Sequence, residues 1–436
     1  MPAASWLPLL NSEDTDVARQ SALAIADSIA ERHDRICARQ SEPRSAWAEG
    51  SLGEGTAGLS LFFAYLALDT QRVDHRALAE QLADESVDHL VGNRVNSSLY
   101  CGFSGTAWLI RHLGDMWGDP DAPAYTEEID IALSGALASA GWNAEFDLIS
   151  GLVGLGVYAL EGLPDRQAIW RVERVVEHLD LLAQWNVKGV TWFTAPRLLD
   201  LDAREACPDG YHNLGVAHGV PGIIGFLARA AAAGIARERA ERLAHGAVDW
   251  LLAQTLGPES PSLFPSFVLP GKEPKPSRLA WCYGDSGVAS TLLAAASSLD
   301  EPSWREAALK IARHAATRRP ETANVNDGCL CHGAAGVAHM FNRMFQVSGE
   351  EVLREAAITW FRRLLDLREK EIGIGGFRAW TAAGKSDGVY KHEDRIGFLT
   401  GASGIGLALL AAISSQPPGW DRAMLLSGSE SRVLQI

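Results

Sequence analysis

Trp281-Cys282-Tyr283-Gly284-Asp285-Ser286-Gly287, running into the apolar stretch Val288 to Leu299, contains the phrase that decides the fold. Its core is Gly-x-x-Gly at the head of an Ala/Leu-rich run, and it occurs seven times. The other copies are Gly55-Thr56-Ala57-Gly58, Gly102-Phe103-Ser104-Gly105, Gly151-Leu152-Val153-Gly154, Gly219-Val220-Pro221-Gly222, Gly333-Ala334-Ala335-Gly336 and Gly401-Ala402-Ser403-Gly404. Each opens an apolar run sufficient for a helix of roughly three to four turns. Glycine suits such a place because it permits tight turns and close backbone approach.

A more polar, amphipathic stretch precedes each copy, at about 16–33, 74–92, 124–141, 165–185, 237–255, 302–319 and 350–370. In the fifth, Ala240, Leu243, Ala244, Ala247, Val248 and Leu251 share one stripe, while Arg237, Glu238, Glu241 and Arg242 face away from it. Seven amphipathic and seven buried helices predict an all-α fold, an α/α toroid with an outer and an inner ring. Stacked repeats share one core, so a single catalytic domain is expected over 1–420. An inserted extension or flap at about 186–213 interrupts it, and 421–436 reads as a disordered tail. Two further long loops flank repeats: a proline-rich one from Pro258 to Pro276 and a Gly-rich one around Gly373 to Phe377, followed by the charged run Lys391 to Arg395.

The inner helix N-termini would all open on one mouth, lined by the residue before each first glycine. Those residues are Glu54, Cys101, Ser150, His218, Tyr283, His332 and Thr400, all polar or reactive. Cys282 and the pair Cys331-His332 occupy neighbouring repeats at equivalent helix starts. Two thiolates and an imidazole suit Zn²⁺, and three protein ligands leave the open position typical of a catalytic site. Helix N-termini favour the thiolate form. Buried cysteines as small hydrophobes remain the alternative. Cys329 stands off register and reads as a bystander, Cys101 as cavity lining, and Cys37 and Cys207 as core or loop residues.

His218 is the natural acid/base candidate because imidazole titrates near neutrality; a packed, hydrogen-bonded histidine fits the residues equally. Asp147 suits orienting such an imidazole or capping a helix. Arg278 suits an oxyanion partner or a solvated loop residue, and Tyr283 a proton donor or a cavity wall. Trp281 reads as packing.

A net charge of −15 argues against nucleic acid as a partner. The first ten residues lack a basic n-region, which together with six cysteines in 436 residues predicts a cytoplasmic protein with reduced thiols. The most apolar stretch, Phe398 to Ile413, is too short for a confident span, so no membrane insertion is expected.

Asn213-Leu214-Gly215-Val216-Ala217-His218-Gly219-Val220-Pro221-Gly222, Trp281-Cys282-Tyr283-Gly284, Cys331-His332-Gly333 and Gly397-Phe398-Leu399-Thr400-Gly401-Ala402-Ser403-Gly404 together resemble the lanthionine synthetase C-like family, the class I lantibiotic cyclases in particular. The resemblance implies one catalytic Zn²⁺ per chain held by Cys282, Cys331 and His332, with His218 and Asp147 in the active site and Arg278 and Tyr283 nearby. It implies addition of precursor-peptide Cys thiols to dehydroalanine or dehydrobutyrine, giving lanthionine or methyllanthionine rings. The chain carries no kinase-like or lyase-like region, so a partner dehydratase must supply the dehydrated precursor peptide. An exporter, and peripheral membrane association through such a complex, would complete the setting. Two alternatives stand beside this reading: addition of glutathione or another small thiol, and a non-catalytic peptide-binding scaffold. An α/α toroid acting on glycans or isoprenoids ranks last, for want of paired carboxylates or an aspartate-rich motif.

Overall fold

A computed structural model describes residues 6–38, 50–91, 93–382 and 390–428. Its helices are α1 (Ser12–Ala38), α2 (Thr56–Thr70), α3 (Val73–Leu90), α4 (Phe103–Trp117), α5 (Glu127–Leu137), α6 (Leu152–Glu161), α7 (Arg166–Leu182), α8 (Leu201–Ala206), α9 (Val220–Ala232), α10 (Arg237–Leu252), α11 (Asp285–Leu299), α12 (Pro302–Ala316), α13 (Ala334–Ser348), α14 (Glu351–Asp366) and α15 (Ala402–Ile413). Three two-stranded antiparallel ribbons accompany them: β1 (Gln184–Asn186) with β2 (Gly189–Thr191), β3 (His212–Asn213) with β4 (Phe267–Val268), and β5 (Ala379–Ala382) with β6 (Tyr390–Glu393). Among the described residues, every Gly-x-x-Gly opens a buried helix, and a more polar helix precedes each. No described helix is long and apolar enough to cross a membrane.

The first glycine of each pair is the N-cap of its helix. Glycine has no capping side chain, so the orphan N–H groups of the first turn must find acceptors elsewhere. The preceding segment folds back and supplies its own carbonyls. Before α13, Ala334, Ala335 and Gly336 donate to the carbonyls of Asp327, Gly328 and Cys329. Before α6, Leu152, Val153 and Gly154 donate to Glu145, Phe146 and Asp147. That fold-back leaves no room for a side chain: a Cβ at Gly219 would lie 2.2 Å from the Asn213 carbonyl oxygen. Gly284 adds a positive φ of 127°, so only glycine sits there without strain. The repeated glycine is therefore part of a backbone-capped turn.

The chain divides into two compact units. Among the described residues, the first comprises 126–324 and 419–428. In it, α9 packs against α6, α10 and α11, while α7 covers α6 and α12 covers α11. All six predicted stripe residues of α10 are buried. The inserted segment forms β1, β2, α8 and β3; its hairpin rests on α10, where a Cβ on Gly189 would meet the Gly246 carbonyl at 2.1 Å. The proline-rich loop is clamped by buried Asp285, whose carboxylate accepts the Leu263 and Phe264 amides at 2.8 and 3.0 Å. Burial raises the pKa of that carboxyl, although the two amides act against the rise.

Packing continues past the expected boundary at 420. Trp420, Asp421 and Ala423 to Leu426 are buried, Met424 accepts the Trp281 indole N–H at 2.9 Å, and Arg229 donates to the Ser427 carbonyl. Ala423-Met424-Leu425-Leu426 is the apolar signal behind this: a strap that fills the backs of α9 and α11. The rest of the predicted tail, 429–436, and the side chain of Cys37 lie outside the described residues.

The second unit comprises Ala4–Tyr125 and Val325–Pro418. Here α15 packs against α1, α2 and α13, with α3 covering α2 and α14 covering α13. All twelve residues of α15 are buried, which accounts for the most apolar stretch of the sequence as a core helix. Each fully buried Leu or Ile there contributes on the order of 1.5–3 kcal/mol.

Candidate functional site

Asp147, His218, Tyr283 and Cys282 all belong to the first unit and stand just before α6, α9 and α11. Asp147 combines both roles open to it from sequence. Its Oδ1 accepts the Ser150 amide at 2.7 Å, steadying the turn into α6, and its Oδ2 accepts from His218 Nδ1 at 2.6 Å. A carboxylate on Nδ1 fixes the proton there and leaves Nε2 as the working nitrogen. The His218 side chain is 39% exposed, whereas Asp147 is 12% exposed. Burial lowers the imidazole pKa, but the hydrogen bond and charge of Asp147, with a smaller contribution from Cys282, outweigh it and raise the pKa above the ordinary value. His218 is thus built to hold a proton.

The Tyr283 ring lies beside His218 at 6.4 Å between centroids. Its hydroxyl accepts from Asn213 Nδ2 at 3.2 Å, which leaves the phenolic proton to be donated. Burial pushes its pKa well above the ordinary tyrosine value, so it remains a neutral phenol. Cys282 is 6% exposed. The two turns are pressed together at Gly215, where a Cβ would lie 2.0 Å from the Cys282 carbonyl oxygen and 2.7 Å from the Tyr283 ring. Arg278 is partly exposed in the loop before Cys282, and its guanidinium has no hydrogen bond or ion pair among the described residues. Trp281 packs, as its sequence suggests.

Cys331 and His332 stand before α13 in the second unit. The Cys331 amide donates to the Leu399 carbonyl at 2.9 Å, and the Leu399 amide donates to Gly53 at 3.0 Å. This relay of neighbouring turns sets the position of Cys331. His332 faces buried Asp327, with Nε2 4.0 Å from Oδ2. Asp327, Cys329 and His332 offer ligand atoms that all lie within 4.8 Å of one another, so a Cys/His group able to hold a metal lies within this unit. Cys329 is therefore closer to His332 than its register suggests. Thr400 donates to Glu54 at 2.7 Å, and exposed Cys101 lines a separate cavity of about 180 Å³ with His89, Arg94 and Asn96. Cys207 is buried. All seven residues preceding the first glycines keep some surface, although every helix they precede is buried.

Two residues with structural claims on the site escaped the sequence reading, Asn213 and Asp327. Both stand six positions before the first glycine of their repeat, and both accept the amide two residues on, Gly215 at 2.8 Å and Cys329 at 3.2 Å. Asn96, at the same register, does likewise to Ser98 at 2.9 Å. The signal in the sequence is a recurrent Asn or Asp six before the glycine, the position of an Asx turn.

A backbone-capped helix repeat with a proton-holding histidine and a thiol–imidazole pair defines a class, and the comparisons name it. The model of the lanthionine synthetase C-like protein family matches residues 46–425, and the chain belongs to that family. It is 24% identical over 366 residues to the nisin biosynthesis protein NisC of Lactococcus lactis subsp. lactis, covering 73% of this chain and 82% of that protein. Its fold matches a solved nisin cyclase with a TM-score of 0.73 at 20% identity, over 92% of this chain and 96% of the other. The all-α toroid expected from the repeats is the fold this match shows.

Proposed function

We propose that this chain is a zinc-dependent lanthipeptide cyclase. It joins a cysteine thiol of a dehydrated precursor peptide to a dehydroalanine or dehydrobutyrine of the same peptide, forming a lanthionine or methyllanthionine. The observation that carries the reading is the Asp147–His218–Tyr283 arrangement beside Cys282, in a chain of this family. Cys282, Cys331 and His332 would hold the metal. Their donor chemistry suits zinc, and both cysteines sit at helix starts that favour the thiolate. Zinc, when bound, supplies the Lewis acidity that ionises a thiol at neutral pH.

The residues of this chain then manage the charge and the proton. Attack of sulfur on the β-carbon breaks the C=C π bond and places negative charge on the carbonyl oxygen of the dehydroamino acid. Tyr283, held neutral, donates a hydrogen bond to that oxygen, and Arg278, without a hydrogen bond or ion pair among the described residues, offers a cation for the same charge. His218 delivers its Nε2 proton to the α-carbon, while Asp147 holds the ring and steadies the cation before transfer. The thiol proton lost at the start replaces the one given up, so the product has the mass of the substrate.

Incubation with a dehydrated peptide, followed by iodoacetamide and mass spectrometry, tests the activity. Thiols that become resistant to alkylation at unchanged mass are expected. Gain of the glutathione mass in the presence of that thiol, without ring formation, would replace cyclisation by small-thiol addition. Metal analysis is expected to find about one zinc per chain; a metal-free, fully active wild type would remove zinc from the mechanism. A partner dehydratase and an exporter fit the same reading, and a pull-down with the precursor peptide tests for them.

A further inference from the structure

The geometry points to Asp327 as the positioning residue for His332: we propose that it sets the ring orientation and tautomer in which that histidine binds metal. This rests on the zinc reading above and adds a residue to it. Asp327 is 4% exposed, so its carboxylate lies out of water and must be satisfied by protein groups. Oδ1 accepts the Cys329 amide at 3.2 Å and Oδ2 accepts the Trp380 amide at 3.0 Å. These two bonds lock the carboxylate to its own loop and to the start of β5. The backbone carbonyl of the same residue caps α13 by accepting the Ala334 amide at 2.9 Å. A carboxylate held by two amides, on a residue whose backbone is itself fixed by a third, is a fixed reference point, and His332 Nε2 is 4.0 Å from its Oδ2.

That separation is too long for a hydrogen bond but close enough for the carboxylate to bias the ring. A negative oxygen beside Nε2 favours the tautomer with the proton on Nε2. The lone pair is then on Nδ1, the form in which a neutral imidazole serves as a ligand. Gly333 keeps the approach open, since a Cβ there would fall 2.4 Å from Asp327 Oδ1. Cys329 gives its amide to Asp327, and under this reading its thiol is not a ligand.

The test is zinc affinity of the folded full chain, read by chelator competition, with the d–d spectrum of the cobalt-substituted protein as a second readout. Asp327→Asn keeps the acceptor for the Cys329 amide but removes the charge. It is expected to weaken zinc binding about 10–100-fold and shift the cobalt bands, while Asp327→Glu recovers part of the affinity. Should the amide variant fold poorly, Asp327→Glu against Asp327→Ala gives the same contrast. Cys329→Ser is expected to keep wild-type affinity and thiolate-to-cobalt charge-transfer intensity. Wild-type affinity and spectrum in Asp327→Asn would overturn the proposal. So would a purely structural result, a lower Tm of the metal-free protein with both metal readouts unmoved. Loss of charge transfer in Cys329→Ser would overturn it in favour of direct ligation by Asp327 and Cys329. A wild type that takes up no zinc at all would remove the zinc reading and this proposal together, and is distinguishable from the other outcomes for that reason.

Discussion

The turns before α9 and α13 share one backbone plan and end in the same dipeptide, His-Gly, yet they place a carboxylate differently against each histidine. Each has an Asx residue six places before the glycine that accepts the amide two residues on. In the α9 turn that residue is Asn213, whose spare amide N–H supports the Tyr283 phenol. The carboxylate for His218 comes instead from Asp147, in another repeat, and contacts it directly at 2.6 Å. In the α13 turn the residue is Asp327, whose second oxygen faces His332 at arm's length. Direct contact raises the pKa of the His218 imidazole; the carboxylate in the α13 turn stands 4.0 Å from the His332 ring nitrogen. Under the proposed function, one scaffold would yield a proton donor or a metal ligand according to which residue supplies the acid and how near it stands.

Breaking the contact in the α9 turn should have the largest effect. Asp147→Asn removes the hydrogen bond and charge that raise the His218 pKa, while its amide oxygen can still hold the Ser150 turn. The pKa should fall, so the protonated form is lost at lower pH and the basic limb of the pH–rate profile moves to lower pH. Cyclisation at pH 8 is expected to drop by about 10–100-fold with little change in Tm. An unshifted basic limb would show that another group carries the proton.

Crowding the same turn should come next. Gly215→Ala places a methyl against the Cys282 carbonyl, a backbone atom that cannot step aside cheaply. Destabilisation of about 1–3 kcal/mol is expected by chemical denaturation, with a loss of activity from displacement of Tyr283. Full stability in this variant would mean the turns are less tightly pressed than the distances indicate.

Asn96→Ala sharpens the comparison from its quiet end. Asn96 makes the same Asx turn before α4, with neither a histidine after it nor a phenol above it. About 1 kcal/mol or less of stability should be lost, and cyclisation rate and zinc content should stay at wild-type levels. A fall in either would show that the turn has a role beyond folding there.

The architecture was legible because its cause is local: glycine pairs at helix starts and a 3.6-residue stripe, as in Ala240 to Leu251, act through neighbours in the chain. His218 was legible for its chemistry, and Asp147 for its place before a helix. Asn213 and Asp327 were not, because their first oxygen does the same local work at three different turns. Only the third dimension reveals what the remaining atom of each side chain meets. The segment from Asp421 to Leu426 was missed for a related reason. Four apolar residues without a period carry no helix or strand signal, and their burial depends on a groove made by α9 and α11.

Both units are discontinuous in sequence, and their segments alternate along the chain. On the ribosome, α1 to α4 therefore emerge long before α13 to α15, against which α1 and α2 pack, and the whole of Thr126–Asn324 emerges between them. That inner unit in turn waits for the strap of Trp420 to Ser427. Neither can close before its late segments, α13 to α15 or the strap, are made, so the nascent protein must carry unfinished apolar faces while the intervening residues are synthesised, the state in which chains are most exposed to aggregation and to chaperone capture.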